Sequence, residues 1–153
     1  MIVKQILKLK NESEKPAVTA QAVFTLSPDA TVAEAAQILA EKRIGAVVVS
    51  GDGARPDGIL SERDIVRAMA RTEGDVRGLK VSELMTAKVK TCTESEDALT
   101  VLERMTEGRF RHLPVVDAQG RMLGVVSIGD AVSARLRELH ADKEALTGMI
   151  MGA

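Results

Sequence analysis

Along the chain, apolar residues recur at helical spacing, then cluster in short runs, then return to helical spacing, and this order is written twice. Ile2, Ile6 and Leu9 share one face of a helix over residues 2–9. Asn11–Ala22 is polar, holds Pro16 and reads as a loop. From there each copy predicts an extended piece (Val23–Leu26; Val89–Cys92), a polar turn, and a helix (Val32–Lys42; Ala98–Glu107). Two apolar strands follow (Ala46–Ser50 and Gly58–Leu60; Leu113–Asp117 and Met122–Val126), and a second helix closes the unit (Glu62–Arg71; Ile128–Leu139). Gly51-Asp52-Gly53 and Asp117-Ala118-Gln119-Gly120 are hairpin signals between the strands. Thr31 with Glu34 three residues on is a capping box for the first helix. Ala141–Met151 predicts one more helix, whose Leu146, Met149 and Ile150 need cover from a partner subunit.

The two copies align without a gap. At an offset of 66, residues 23–71 match 89–137 with 12 of 49 pairs identical, against roughly three by chance at ordinary residue frequencies. The chain is an internal duplication, which fixes the architecture before any other reading. A weaker echo precedes each copy: Val3-Lys4-Gln5-Ile6-Leu7 resembles Val81-Ser82-Glu83-Leu84-Met85 at an offset of 78. The expected division is a first unit over 1–79, a second over 80–139 and a helical tail over 140–153. The strand–helix–strand–strand–helix order predicts an α/β (α+β) fold with helices covering small sheets.

Composition sharpens this picture. Of 153 residues only two are aromatic, Phe24 and Phe110, so the core is aliphatic. Half a chain is too short for a secure core of its own, so the halves are expected to depend on each other. A net charge of −1 gives no drive towards nucleic acid or anionic membrane. No apolar run is long enough to span a bilayer and no secretory h-region opens the chain; the reading is a soluble, cytoplasmic protein. One cysteine, Cys92, permits no intrachain disulfide. Two histidines and that cysteine make no metal-ligand spacing, and no glycine-rich nucleotide loop or nucleophile–base pair is present. An enzyme is not expected.

Each copy ends in the same phrase: Gly58-Ile59-Leu60-Ser61-Glu62-Arg63-Asp64, and Gly124-Val125-Val126-Ser127-Ile128-Gly129-Asp130. Ser-x-x-Asp at a helix start is a capping arrangement. The same geometry suits a ligand, with backbone N–H groups for phosphate or hydroxyl oxygens and an aspartate for the two hydroxyls of a ribose. The glycine would let a ligand approach the strand closely. Both readings stand. Arg104, Arg109, Arg111 and His112 sit at the end of a helix and just before a strand; cations there complement the dipole, which accounts well for Arg104 and Arg109. Arg111 and His112 also begin a strand at the expected cleft, where a phosphate role competes with that account. Arg63 either reaches an anion or lies on a solvated face. Cys92 reads as a small buried hydrophobe.

These phrases, with Phe110-Arg111-His112-Leu113-Pro114-Val115-Val116-Asp117, resemble a tandem CBS-domain pair, the Bateman module, over residues 2–139. Gly45-Ala46-Val47-Val48-Val49 takes the place of the Arg-His-Leu-Pro-Val stretch in the first copy. The resemblance implies two β-α-β-β-α units packed sheet to sheet about a pseudo-twofold axis, and adenosyl ligands (AMP, ADP, ATP, S-adenosylmethionine or NAD(H)) in two clefts. Carried onto this chain, site one combines Ser127 and Asp130 with Thr25, Leu26, Ala30, Gly45 and Ala46. Site two combines Ser61 and Asp64 with Thr91, Cys92, Arg111, His112 and Leu113; Arg63, Arg111 and His112 are the phosphate candidates. It further implies a homodimer and an unidentified regulated protein. The chain is shorter than the ~250 residues of a barrel enzyme to which such modules are often fused. The function expected is a stand-alone energy-sensing nucleotide module, and the alternative is a ligand-free dimerising scaffold.

Overall fold

A computed structural model describes residues 1–13 and 24–151. Its elements are α1 (Val3–Ser13), β1 (Thr25–Leu26), α2 (Val32–Lys42), β2 (Ala46–Val49), β3 (Gly58–Ser61), α3 (Glu62–Arg71), α4 (Val81–Leu84), α5 (Ala98–Gly108), β4 (His112–Val116), β5 (Met122–Ser127) and α6 (Ile128–Met151). The fold is α+β. Thr31 caps α2 through a capping box, and Asp97, its repeat counterpart, caps α5 by accepting from the Thr100 N–H. Both helices end on an arginine in the left-handed region, Arg43 at φ 53° and Arg109 at φ 56°. An unbranched residue tolerates that region at modest cost, and here it turns the chain sharply into β2 and β4.

In the first repeat β1 runs parallel to β2, and β2 pairs antiparallel with β3, Ala46 opposite Ser61 and Val49 opposite Gly58. The second repeat keeps the hairpin, with His112 opposite Ser127. Its predicted extended piece Val89–Cys92 shrinks to one parallel bridge between Cys92 and Val115. The Cys92 N–H donates to the Pro114 carbonyl and the Val116 N–H to the Cys92 carbonyl, both at 2.9 Å. Pro114 has no N–H to carry the ladder on towards residue 90. In the first hairpin, N–H groups of Arg55 and Ala54 hold the Asp52 carboxyl at a pKa of about 2.

Three sequence expectations need correction. The first helix extends to Ser13, so the start of the predicted loop is helical; the remainder of that loop, and Val23, lie outside the described residues. The closing helix and the tail helix are one helix of 24 residues. Nothing at the expected break resists helix, and His140 pairs with Glu144 across it at 3.0 Å. The strands at the second hairpin begin and end a residue away from expectation, within ordinary fraying.

The helices that precede the repeats are exchanged. Val3 of α1 is buried with Cys92, Val101, Met105, Leu113 and Val126 of the second repeat. Val81 of α4 is buried with Leu26, Ala35, Leu39, Val47 and Leu60 of the first. The hydrogen bonds repeat as faithfully: Val3 N–H to Glu96 O and Val81 N–H to Ala30 O, each 2.8 Å. The bridges Ile2–Asp97 and Lys80–Thr31 complete the correspondence. The boundary at residue 79 follows chain order; in space each core borrows a helix from the other side of it.

Candidate functional site

Each Ser-x-x-Asp phrase sits where a strand ends and a helix begins. Ser61 is extended (φ −104°, ψ 163°) and caps α3. Asp64 Oδ2 accepts from the Ser61 N–H at 2.8 Å and from Ser61 Oγ at 3.0 Å, and the Asp64 N–H donates back to Ser61 Oγ at 3.3 Å. Ser127 and Asp130 repeat this, with Ser127 N–H to Asp130 Oδ2 at 2.9 Å and Asp130 N–H to Ser127 Oγ at 3.1 Å. The capping role is therefore realised at both corners. It occupies Oδ2 and leaves Oδ1 outside these bonds.

The glycines of the phrase do something other than admit a ligand. A Cβ on Gly58 would collide with the Met85 sulfur, and one on Gly124 would stand 2.7 Å from Leu7 Cδ2. Leu7 and Met85 are counterparts in the exchanged helical segments. The glycine is where the borrowed helix of the other repeat presses on the strand, so the expectation of close ligand approach gives way to a packing requirement.

The two corners differ in what surrounds them. The Ser61–Asp64 corner opens on a cavity of about 230 Å³ lined by both repeats: Gly45, Ala46, Ile59, Ser61, Glu62, Arg63, Asp64, Arg67 and Thr86 from one side, Arg109, Phe110, Arg111 and His112 from the other. The Asp130 corner borders a cavity of about 420 Å³ lined by α1 and α6, including Ile6, Leu9, Lys10, Ser133 and Arg137. There Lys10 Nζ donates to Asp130 Oδ2 at 3.1 Å and to the Val125 carbonyl at 3.0 Å.

The expected site residues divide as follows. Ser61, Asp64, Arg63, Arg111 and His112 line one cavity, and Gly45 and Ala46 line that same cavity rather than the one at Asp130. Ser127 stands at its corner with Asp130. Leu26, Cys92 and Leu113 are buried in the cores, so their side chains face apolar neighbours. Burial pushes the Cys92 thiol up to about 12. Thr25 pairs with Val48 in the sheet, and Ala30 packs against the first core. The Thr91 carbonyl accepts from Arg104 at 2.7 Å, and Arg104 also pairs with Glu96 at 2.8 Å; Arg104 pins the segment after α4 in place.

His112 links the two corners. A Cβ on Gly45 would stand 3.2 Å from its Cε1 and Nε2. Burial holds the imidazole below its ordinary pKa; Lys10 and Arg111 push the same way, and Asp130 and Glu62 oppose. The ring thus feels Asp130 at one corner and Glu62 at the other, and burial disfavours its protonation. Sequence reading missed Lys10, Arg67 and Arg109 as cavity residues. Arg67 had a signal, since it lies one helical turn from Arg63. Lys10 had none, because nothing in the sequence says which repeat α1 covers.

Among the described residues no group of His, Cys, Asp and Glu is arranged to hold a metal, and no helix is long and apolar enough to cross a membrane. The family model for the CBS domain matches residues 17–71 and 81–137. The mitochondrial CBS domain-containing protein CBSX3 of Arabidopsis thaliana is 34% identical over 128 residues, which are 81% of this chain and 62% of that protein. This chain thus spans less than two thirds of that relative. The crystal structure of the CBS-domain protein ATU1752 from Agrobacterium tumefaciens superposes with a TM-score of 0.77 at 38% identity, covering 88% of this chain and 99% of that one. PAE2072 of Pyrobaculum aerophilum, a CBS domain protein solved in complex with AMP, superposes with a TM-score of 0.68 at 27% identity, over 85% and 89% of the two chains.

Proposed function

The chain belongs to the CBS-domain family, and from that premise we propose that it is a regulatory module that binds an adenine nucleotide (AMP, ADP, ATP or NAD(H)) between its repeats. One observation carries this reading: the Ser61–Asp64 corner of one repeat and the Arg111–His112 strand start of the other line a single cavity. A ribose would bond to Asp64, whose cap orients the carboxylate without using Oδ1. Phosphate would meet Arg63, Arg111 and His112. Gly45 and Ala46 would floor the site, while Thr91, Cys92 and Leu113, which the resemblance also assigns to it, lie outside the cavity lining. The complex of PAE2072 with AMP supports this ligand class. Because the cavity has walls from both repeats, a ligand there favours one relative arrangement of them, which is how binding would become a signal. The module acts by binding, in the cytoplasm, on a protein that reads its state.

A melt against AMP, ADP, ATP, NADH and S-adenosylmethionine tests the reading. Saturation at 100 times the dissociation constant adds about 2.7 kcal/mol, so a shift lost in Asp64→Ala is expected. No shift with any ligand at millimolar concentration refutes it.

A dimerising role has its own observation. Val66 and Met69 on α3, and Leu136, Leu139, Leu146, Met149 and Ile150 on α6, are exposed. Two chains pairing through these faces would cover them. Light scattering should give twice the 16.4 kDa chain mass, and Met149→Glu with Ile150→Glu should return it to one.

A further inference from the structure

We infer that the cavity at Asp64 is specific for a nucleotide with more than one phosphate, and that the Asp130 corner is not its equal. The inference rests on the nucleotide reading above. Arg63 and Arg67 are one turn apart on α3 and line the cavity together. Arg109 and Arg111 reach it from the α5–β4 turn, which the left-handed backbone of Arg109 makes sharp. Four guanidinium groups thus share a wall with two carboxylates, Glu62 and Asp64. Among the described residues none of the four forms an ion pair, although Glu62 and Asp64 share the cavity with them. Four guanidinium groups against two carboxylates leave the wall net positive, which favours a polyanion. Guanidinium forks match phosphate oxygens two at a time.

The duplication supplies an internal control. At the offset of 66, the counterparts of Arg63, Arg67, Arg111 and His112 are Gly129, Ser133, Gly45 and Ala46; of the cavity arginines only Arg109 has a basic counterpart, Arg43. The four-arginine set therefore belongs to one corner; the cavity at the other holds Lys10 and Arg137, and Lys10 is already paired with Asp130. One monophosphate needs at most two of the four forks. A di- or triphosphate can use them all, and a sulfonium ligand such as S-adenosylmethionine is repelled.

Calorimetric titration of the full chain with AMP, ADP and ATP at fixed ionic strength tests this. ATP should bind at least tenfold tighter than AMP, with ADP between, and its affinity should fall more steeply with added salt. Arg63→Gln with Arg67→Ser, both exposed positions, should bring the ATP-to-AMP ratio below threefold. If wild-type protein binds the three nucleotides equally and Asp64→Ala abolishes binding, the polyphosphate inference fails and the nucleotide reading survives. If no nucleotide binds at all, the nucleotide reading fails and takes this inference with it. The salt comparison needs no variant, so equal salt slopes for ATP and AMP overturn the inference even if the double variant misfolds.

Discussion

Lys10 Nζ stands 3.1 Å from Asp130 Oδ2, while Lys88, its counterpart at the offset of 78, is exposed beyond the end of α4. The difference is helix length: α1 runs 11 residues and α4 only four. One aspartate of the pair thus carries a built-in cation. Lys10→Met should let an adenosyl ligand reach Asp130, raising the titrated stoichiometry towards two per chain. The pair is partly exposed, so stability should fall by less than about 1 kcal/mol. An unchanged stoichiometry, with AMP and ATP both at saturation, would show that Lys10 does not restrict that corner.

His112 sets a pH dependence. Its folded pKa lies below the ordinary 6.5, so the unfolded chain takes up the proton first as pH falls. Stability from this group is complete above about pH 6.5, erodes as the pH drops below it, and levels off beneath the lowered folded pKa. His112→Gln should flatten the urea midpoint between pH 7 and 5. A wild-type midpoint already flat over that interval contradicts the assignment.

Cys92 should be chemically silent. With its thiol pushed to about 12 and the side chain 1% exposed, it offers almost no thiolate at pH 8. Ellman's reagent should find no thiol in the native protein and one per chain in concentrated urea. Rapid native labelling would place Cys92 outside the core.

Gly58 and Met85 should be energetically coupled. Gly58→Ala drives a methyl into the Met85 side chain and should cost about 1–3 kcal/mol by overpacking. In a Met85→Ala background the same change should cost little, giving a coupling that urea titrations of the four proteins resolve. Equal costs in both backgrounds would mean the strand moves freely away from Met85.

Sequence reading reached far wherever the cause was local. α2 was legible to the residue because its cap Thr31, its Glu34 and its apolar face all lie within the element. The Ser-x-x-Asp corners were legible as caps for the same reason. What escaped was non-local. The sequence pattern puts Ile2, Ile6 and Leu9 on one face, but the buried pair is Val3 and Ile6, and Ile2 is exposed, because Val101 and Ala98, about a hundred residues away, set which face is covered. The left-handed arginines 43 and 109 carry no glycine to mark them. Pro114 shortens a neighbouring strand because of a register that only the assembled sheet defines. The cavity itself is a property of two repeats meeting, so its basic wall was visible only in parts, as Arg63 and Arg111.

The exchange of α1 and α4 has a bearing on how the protein is made. α1 leaves the ribosome before either repeat, yet its seat is built from Cys92, Val101, Leu113 and Val126. At ordinary rates of synthesis, 5–20 residues per second, that helix waits several seconds for the surface it must cover. The first repeat, by contrast, is complete as soon as Val81 has emerged. The nascent chain therefore matures in two unequal stages, an early half that closes promptly and a leading segment whose docking comes last.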